Sequence, residues 1–435
     1  MRWTAVAVVG LALSVAVLAG AARAQEACAN GAWRAPDGRV AALATAPPGA
    51  PAGDPQRYNL IDGRAGKLGA ADAPVVCEGG VLKDRGKDGV GGGAWTRIPL
   101  RATPTDFIGH GGVRLHGLLL EPVRSAGKPP AVVLVHGSEA TSPILRFYQV
   151  MFAGQGVAAF AYDKRGTGQS QGVYTQDFDV LADDAAAAVE EVRRLAKGRI
   201  GRIGLEGGSQ GGWIAPAAAA KARADFVEVA FGMVATPIEQ DVWQVDYELK
   251  ARGFSPDILP KVHAVTDATA AVARADFAGH LDGLQAVRER YGAEPWFSKI
   301  SGQYSGEILS GKLVPGPALD RKELDDWLAA HVPWDYDSEA VLKRLKAPQL
   351  WVMAQDDSVA VSAPSIARLK KLRQAGADID IRVFPHADHG IRLYTADAEG
   401  QHHATPNMAD GYLKLLADWA KGVRAPPYGE SFAAP

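Results

Sequence analysis

The sequence predicts a doubly wound, mostly parallel α/β sheet that carries a helical cap insertion and a small N-terminal accessory β module. Three observations predict this architecture. From Val113 onward, short apolar runs bounded by turn residues alternate with helical segments, as buried parallel strands alternate with crossover helices. This alternation stops at Pro237 and resumes at Leu350. Upstream of residue 106 the chain is rich in Gly, Ala, Pro and Asp, which favours short strands and loops.

These transitions divide the chain into segments. At 435 residues the chain is longer than a usual single domain, so a core with an insertion, or two domains, is expected. The predicted segments are a signal peptide at 1–24, the accessory module at 25–105, the core at 106–236 and 335–425, and the cap insertion at 237–334.

The N-terminus has the features of a secretory signal peptide. A positively charged start precedes an apolar run from Ala5 to Ala19, and Ala22-Arg23-Ala24 supplies the small residues that a signal peptidase accepts. We expect cleavage between Ala24 and Gln25, export to the periplasm or the extracellular space, and no membrane association afterwards. An uncleaved membrane anchor is the alternative, because the apolar run is nearly long enough to span a bilayer.

Cys28 and Cys77 are the two cysteines of the chain, and both lie in the predicted accessory module. An oxidising compartment permits a disulfide, which would close a loop of about 50 residues and add about 4 kcal/mol in the chain-entropy model. Two unpaired thiols are the alternative. Neither cysteine lies in a catalytic motif, so a cysteine nucleophile is not expected.

The strands of the core follow from the apolar runs. They are predicted at Arg114–Glu121, Ala131–Val135, Val157–Tyr162, Arg202–Glu206, Val227–Val234, Leu350–Ala354 and Ile379–Phe384. A long amphipathic helix is expected between the third and fourth of these strands. Asp177 or Asp179 would cap this helix, and Gly198 would end it.

Aromatic side chains are frequent in and near the insertion. They could line a substrate pocket, but aromatic residues in helical segments more often fill a core. The residues concerned are Trp213, Trp243, Tyr247, Trp296, Phe297, Tyr304 and Trp327.

The charge balance excludes some classes of partner. A formal net charge of -2 gives no basic surface for nucleic acid or anionic lipid, so a neutral small molecule or polymer is the expected partner. Two charged groups, Asp163-Lys164-Arg165-Gly166 and Asp183-Asp184, are expected to form salt bridges in a loop and at the start of a helix.

The pattern G-x-S-x-G occurs twice, around Ser209 and around Ser170. Its glycines allow a sharp turn that exposes a serine between a strand and a helix. The copy at 207–211 has an apolar strand directly before it and a helical segment directly after it. The copy at 168–172 follows polar residues and is predicted to be a loop. Ser209 is therefore the predicted nucleophile.

Candidates for a base and an acid lie further along the chain. A serine hydroxyl needs a base to take its proton, and the base needs a carboxylate to orient it. Asp356 and Asp357 directly follow one predicted core strand, and His386 and His389 follow the next. One aspartate is expected to cap the following helix and the other to act in the site. His389 is favoured as the base, because Gly390 after it suits a loop bent toward the site.

Acyl transfer also requires N–H donors directed at the developing oxyanion. The backbone N–H of Gln210, directly after Ser209, is one candidate, and that of Ser138, in the loop after the strand at 131–135, is the second. No cofactor is expected. A metal site is not expected either, because His386, Asp388, His389, His402 and His403 lack the spacing of a metalloenzyme motif.

Together these motifs resemble the α/β-hydrolase superfamily from about residue 106 to residue 423. The resemblance includes Asp-x-Arg-Gly-x-Gly-x-Ser at 163–170, the Ser209 turn and the loops of the acid and the base. It implies Asp357 as the acid, because the acid of such families usually stands third after the position held here by Ala354. It also implies that an insertion after the sixth strand forms a cap over the substrate.

Within the superfamily, two groups share local motifs with this chain. Gly-Gly-Ser-Gln-Gly-Gly is similar to the elbows of acetyl-xylan and cephalosporin deacetylases. Asp-Lys-Arg-Gly-Thr-Gly and the cap region are more similar to serine aminopeptidases and dipeptidyl-peptidase-like hydrolases.

The sequence thus predicts an exported serine hydrolase that cleaves a small-molecule carboxylic ester through an acyl-serine intermediate. An amide or short-peptide hydrolase with the same triad is the first alternative. An acidic cap residue placed to bind a substrate amine would favour it, and the candidates are Glu239, Asp241, Asp246 and Glu248. A catalytically silent binding scaffold of the same fold is the remote alternative.

Overall fold

The computed structural model describes residues 27–45, 54–85, 91–398, 400–424 and 426–434. The predicted signal peptide, and with it the alternative membrane anchor, lies outside the described residues. Within the described part of the chain, no helix combines the length and apolar character needed to cross a membrane.

The N-terminal module consists of short antiparallel strands. They are β1 (Gly31–Arg34), β2 (Val40–Ala44), β3 (Arg57–Leu60), β4 (Ala65–Lys67), β5 (Val75–Glu78), β6 (Val81–Arg85), β7 (Gly91–Ala94) and β8 (Thr96–Arg97). One sheet has the order β4-β3-β2-β1-β8 and the other the order β5-β6-β7. Cys28 and Cys77 form a disulfide, with their Cα atoms 5.7 Å apart, so the question that the sequence left open is resolved in favour of the bridge.

A nine-stranded sheet forms the core. The chain supplies β9 (Leu100–Ile108), β10 (Arg114–Pro122), β11 (Ala131–Val135), β12 (Ala158–Tyr162), β13 (Ile203–Gly208), β14 (Phe226–Ala230), β15 (Gln349–Ala354) and β16 (Ile379–Phe384). A small separate sheet follows, made of β17 (Ala387–Asp388), β18 (Arg392–Ala396) and β19 (His402–Met408), before β20 (Phe432–Ala433) returns to the core sheet.

The order of the core strands is β9-β10-β12-β11-β13-β14-β15-β16-β20. All pairs from β11 to β16 are parallel, whereas β9, β10 and β20 pair antiparallel with their neighbours. The predicted fold class, a mostly parallel and doubly wound α/β sheet, is confirmed.

The helices of the described chain cover both faces of this sheet or form the insertion. They are α1 (Phe147–Gly154), α2 (Phe178–Ala196), α3 (Gly211–Ala222), α4 (Pro237–Ala251), α5 (Leu259–Arg274), α6 (Leu281–Tyr291), α7 (Ser305–Ser310), α8 (Arg321–Ala330), α9 (Ser338–Arg344), α10 (Ser362–Gln374) and α11 (Tyr412–Ala420). On one face, α2, α3, α9 and α10 bury their apolar side chains. On the other, α1 and α11 do so.

The observed strands differ from the prediction mainly at two places. The strand predicted at 227–234 ends at Ala230, because Phe231 adopts a φ of +42° that the pleated ladder cannot continue. The sheet also begins earlier than predicted, since β9 crosses the boundary placed at residue 105. As an edge strand, β9 is largely exposed and contains Pro104, so it lacks the apolar run that marks a buried strand.

The N-terminal module packs directly on α1. Ala32 and Val40 of the module share an apolar cluster with Val150 and Phe152 of that helix. The backbones approach closely at Gly154, where an added Cβ would lie 2.8 Å from Cβ of Ala32. The module is therefore joined to the core through a buried apolar contact.

The segment from 237 to 334, predicted as a helical insertion, contains α4 to α8 between β14 and β15. It begins at Thr236, whose hydroxyl accepts the backbone N–H of Glu239 while the Glu239 carboxylate accepts that of Thr236. Its helices bury two apolar clusters of their own.

Candidate active site

Ser209 lies at a sharp turn between β13, which ends at Gly208, and α3, which begins at Gly211. Its φ is +53°, in the left-handed region that a non-glycine residue rarely adopts. The flanking glycines make this turn possible. A Cβ on Gly211 would lie 2.0 Å from the carbonyl oxygen of Val135, and a Cβ on Gly207 would lie 2.3 Å from that of Gly211. The strand, turn and helix expected around Ser209 are present.

The imidazole of His389 lies between Ser209 and Asp357. Its Nε2 is 3.0 Å from Oγ of Ser209, and its Nδ1 is 3.1 Å from each carboxylate oxygen of Asp357. Oδ1 of Asp357 also accepts the backbone N–H groups of Val359 at 3.0 Å and Ala360 at 2.6 Å. A continuous chain of hydrogen bonds therefore connects a fully buried carboxylate to the serine hydroxyl.

A second carboxylate joins the loops that carry Asp357 and His389. Oδ1 of Asp388 accepts the backbone N–H of Ser358 at 2.7 Å and that of His389 at 2.7 Å. Its Oδ2 lies 3.0 Å from Nδ1 of His402 on β19. Sequence reasoning did not assign this role to Asp388, and its only signal was its position directly before the predicted base.

The environment of His389 favours its protonated form. Burial lowers the pKa of the imidazole, but the negative charge of Asp357 and the hydrogen bond to Nδ1 raise it by more, so the pKa lies above the ordinary value for histidine. The charge of Asp388 acts in the same direction. The arrangement stabilises the imidazolium that forms when His389 accepts a proton.

The other serine, aspartate and histidine candidates lie outside this chain of hydrogen bonds. Oγ of Ser170 donates to the carbonyl oxygen of Asp163 at 2.7 Å, within the loop predicted for it. Oδ2 of Asp356 accepts the hydroxyl of Tyr394 at 3.1 Å. His386 is exposed in the turn between β16 and β17.

The two predicted oxyanion donors lie beside Ser209. Ser138 and Gln210 line the same cavity as Ser209 and His389. Within the described chain, neither backbone N–H donates to an acceptor, so both can bind a ligand oxygen. The loop carrying Ser138 approaches the nucleophile closely, since a Cβ on Gly137 would lie 3.4 Å from Cβ of Ser209.

A cavity of about 310 Å³ lies between the core and the helical insertion at Ser209. Apart from His389, its described lining carries no acidic or basic side chain. The lining consists mainly of amide and aromatic side chains, namely Gln176, Gln210, Gln240, Gln303, Phe178, Trp213, Tyr304, Trp327 and Trp334. The rings of Trp327 and Trp334 stack with centroids 5.8 Å apart, and Tyr304 meets Trp334 edge-on at 5.0 Å.

The predicted aromatic residues divide among three locations. Trp213, Tyr304 and Trp327 line the cavity at Ser209, and Trp213 and Tyr304 are at the same time buried in apolar clusters of the core and the insertion, so both interpretations hold for these two. Trp243 and Tyr247 line a second cavity of about 350 Å³, whose lining also includes Gln355 and Asp357. In the apolar cluster of the insertion, Trp296 is buried and Phe297 is partly buried. Phe178 and Trp334 line the active cavity without having been predicted.

The acidic residues proposed as a binding site for a substrate amine are absent from the described lining of this cavity. Each is already paired elsewhere. Glu239 binds Arg368, Asp246 lies 3.0 Å from His263, Glu248 accepts Gln244 at 2.8 Å, and Asp241 accepts the backbone N–H groups of Gln303 at 2.7 Å and Tyr304 at 2.9 Å.

The histidines near the C-terminus have partners other than a metal ion. His402 pairs with Asp388, and His403 lies 2.9 Å from Asp397. Throughout the described ranges, no three His, Cys, Asp or Glu side chains are grouped in a way that could hold a metal ion.

Part of this chain is similar to a known protein family. A family model described as serine aminopeptidase, S33, matches residues 128–280. No curated protein matches the chain significantly. Together with the strand order and the position of Ser209, the family match supports a hydrolase.

Several solved structures are similar at low identity. A Pyrococcus furiosus esterase is 13% identical, with 67% of this chain and 83% of that chain covered and a TM-score of 0.41. Brefeldin A esterase, described as a bacterial homologue of human hormone sensitive lipase, is 18% identical (68% and 70% covered, TM-score 0.39). Pyrococcus horikoshii acylaminoacyl peptidase is 15% identical (81% and 51% covered, TM-score 0.39).

Proposed function

We propose that this chain, a member of the α/β-hydrolase superfamily, is a serine hydrolase that cleaves carboxylic esters through an acyl-serine intermediate. The observation that carries the proposal is the uninterrupted hydrogen-bond chain from Asp357 through His389 to Ser209, at a strained turn that opens into a cavity. A strained φ at a residue with a base in hydrogen-bonding contact is typical of an activated nucleophile.

The reaction proceeds in two steps at this site. His389 Nε2 takes the proton of Ser209 as Oγ attacks the ester carbonyl, and the backbone N–H groups of Ser138 and Gln210 hold the oxyanion. Collapse of the tetrahedral intermediate expels the alcohol, which receives its proton from His389. The same imidazole then removes a proton from water, which attacks the acyl-serine and releases the carboxylic acid.

The uncharged cavity supports a neutral ester substrate over a free amino terminus. An aminopeptidase has to bind the ammonium group of its substrate, and in a partly desolvated cavity that requires a carboxylate. Glu239, Asp241, Asp246 and Glu248 are paired outside the cavity. Glutamine amides and aromatic rings instead offer hydrogen bonds and apolar contact without charge.

The second candidate is an amide or peptide hydrolase with the same triad. The match of residues 128–280 to a serine aminopeptidase family favours it. For this candidate, a substrate with a blocked or internal amide would fit the uncharged lining better than a free amine.

Export of the mature chain is part of the proposal. The disulfide between Cys28 and Cys77 supports it, because such bonds persist mainly in oxidising compartments. Mass spectrometry of the protein recovered from the periplasm or medium, expected to begin at Gln25, tests both the cleavage site and the location. Recovery of the full-length chain from the membrane fraction would support the uncleaved anchor instead.

The activity is tested by labelling the purified protein with a fluorophosphonate probe and by assaying p-nitrophenyl esters beside aminoacyl p-nitroanilides. Labelling should occur in the wild type and in Ser170→Ala, and be lost in Ser209→Ala. Turnover of esters and not of anilides supports the esterase. Faster anilide cleavage supports the peptidase, and a folded wild type that neither labels nor turns over any substrate supports the binding scaffold.

A further inference from the structure

Lys164 is a buried lysine next to the proposed active site. It follows β12 in the loop Asp163-Lys164-Arg165-Gly166, and only 2% of its surface is exposed. Among the described residues, no carboxylate lies within ion-pairing distance of its Nζ. A buried ammonium group without a carboxylate partner is costly, so its retention calls for a specific role. The salt bridge expected for this loop is instead formed by Arg165, which binds Asp184 at 2.7 Å.

The hydrogen bonds of Lys164 reach the peptide group that carries the Ser138 N–H and the side chain of Gln210. Nζ donates to the carbonyl oxygen of Gly137, and it donates to Oε1 of Gln210 at 3.1 Å. The Gln210 amide then donates from Nε2 to Oε1 of Gln176 at 3.1 Å. One ammonium group thus binds the residue before Ser138 and the side chain of the residue after Ser209.

The contact with Gly137 controls the direction of the Ser138 N–H. The carbonyl of Gly137 and the N–H of Ser138 belong to the same planar peptide group, where they point in opposite directions. Fixing the carbonyl on Lys164 therefore fixes the N–H on the opposite side. The hydroxyl of Tyr174 donates to the carbonyl oxygen of Ser138 and holds the next peptide.

From this geometry we infer that Lys164 is a positioning residue that aligns and polarises the oxyanion donor of Ser138 and holds the side chain of Gln210 beside it. A hydrogen bond to the carbonyl of a peptide strengthens the N–H of that peptide as a donor. A positive charge in a water-poor site also stabilises the negative charge that develops on the substrate oxygen. Burial lowers the pKa of Lys164 to about 8, so the group still carries its proton at neutral pH. The inference rests on the proposed serine hydrolase function.

The test compares Lys164→Met and Lys164→Arg with the wild type on one p-nitrophenyl ester, with Lys371→Met on the exposed side of α10 as the control for removal of a lysine charge. For Lys164→Met we expect kcat to fall about 10- to 100-fold, which is no more than the fall caused by removing one oxyanion donor. We expect KM to stay within about twofold of the wild-type value. Lys164→Arg keeps the charge and should recover part of the loss. Lys371→Met should match the wild type.

A second measurement separates positioning from a structural role. A trifluoromethyl ketone forms a tetrahedral oxyanion with the serine, so its Ki should rise in Lys164→Met by the same factor as kcat/KM falls, at unchanged thermal stability. An effect on KM alone, an unchanged Ki, or a fall in activity that only follows the unfolded fraction would overturn the inference.

If Lys164→Met does not fold, the variant Gln210→Leu removes one of the two contacts of Lys164 and keeps the backbone N–H of residue 210. It should lower kcat about tenfold, and an unchanged kcat would overturn the inference as well.

The Lys164 variants and Ser209→Ala together show whether the role of Lys164 or the proposed hydrolase function is wrong. Turnover that persists in Ser209→Ala would refute the proposed hydrolase, whatever Lys164 does. Turnover that depends on Ser209 but is indifferent to Lys164 would refute only the role of the lysine.

Discussion

Nδ1 of His389 lies 3.1 Å from both carboxylate oxygens of Asp357, although 32 residues separate them in the sequence. Asp357 is held in turn by the backbone N–H groups of its own loop, and Asp388 links that loop to the backbone of His389. Main-chain hydrogen bonds to Asp357 and Asp388 thus fix the position of His389 relative to Asp357. We therefore expect the backbone here to keep its conformation when a single side chain is replaced.

Asp357→Asn should lower kcat about 10³- to 10⁴-fold at neutral pH, because an amide favours the wrong tautomer of His389 and cannot stabilise its imidazolium. Asp356→Asn is the matched control, since Asp356 contacts Tyr394 and not the base. We expect kcat of Asp356→Asn to fall less than about fivefold, because only one hydrogen bond outside the triad is weakened. Steady-state kinetics of both variants on one ester distinguishes Asp357 from Asp356. An equal fall of kcat in the two variants would contradict the assignment of Asp357 as the acid.

The acid limb of the pH profile should report His389. The base must be neutral to accept a proton, so kcat/KM should fall as the pH drops through the pKa of His389. Because Asp357 raises that pKa, the midpoint should lie above about 6.5, the ordinary value for histidine. In Asp357→Asn the midpoint should move to lower pH. A wild-type midpoint well below the ordinary histidine value would contradict the described environment.

Gln240→Glu should change substrate preference by introducing a charge into the cavity. Gln240 lies in the lining, and its side-chain amide has no hydrogen-bond partner among the described residues. In Gln240→Glu, the ratio of kcat/KM for an ester with an α-ammonium group to kcat/KM for the same ester without that group should rise about tenfold. The reason is that a partly desolvated ion pair contributes roughly 1.4 kcal/mol. Gln240→Leu serves as the control and should change both substrates alike. An unchanged ratio in Gln240→Glu would place this residue away from the bound substrate.

Asp184→Asn should destabilise the fold by about 3–5 kcal/mol, because it leaves the buried guanidinium of Arg165 without its carboxylate partner. Urea denaturation followed by circular dichroism measures this change. The folded fraction should keep its KM, since neither residue lines the cavity. A stability equal to that of the wild type would show that the pair is hydrated in solution.

Cys28→Ser combined with Cys77→Ser should lower the free energy of unfolding of the N-terminal module by about 4 kcal/mol. The residues of the triad belong to the core, so esterase activity measured at 25 °C should persist. Thermal unfolding of the wild type with and without reductant gives an independent readout. Loss of activity in step with the loss of the module would show that its packing on α1 supports the core.

The parallel strands were predictable because burial on both faces produces continuous apolar runs, as in Ala131–Val135. Ser209, Asp357 and His389 could be proposed as nucleophile, acid and base because each lies within a few residues of the end of such a strand. β9 was not, since an exposed edge strand has no apolar signal. The sequence also could not distinguish Lys164 from Arg165. Two adjacent cations look alike, and only the tertiary structure places one against Asp184 and the other against Gly137.

The cavity lining depended even more on tertiary structure. Trp334 and Gln303 lie in irregular or short segments of the insertion without a pattern that points to a ligand. Their position follows from how the insertion packs over the core. Within the insertion itself, Asp241 of α4 holds the backbone of Gln303 and Tyr304 across about 60 residues of sequence.

The insertion between β14 and β15 separates Ser209 from both Asp357 and His389 along the chain. Proteins are synthesised from the N-terminus, so a growing chain presents its serine long before its base exists. The hydrogen-bonded triad can form only after the insertion has been made and β15 and β16 have joined the sheet. A polypeptide that ends before β15 therefore contains Ser209 without Asp357 and His389, and the proposed triad depends on the C-terminal part of the chain.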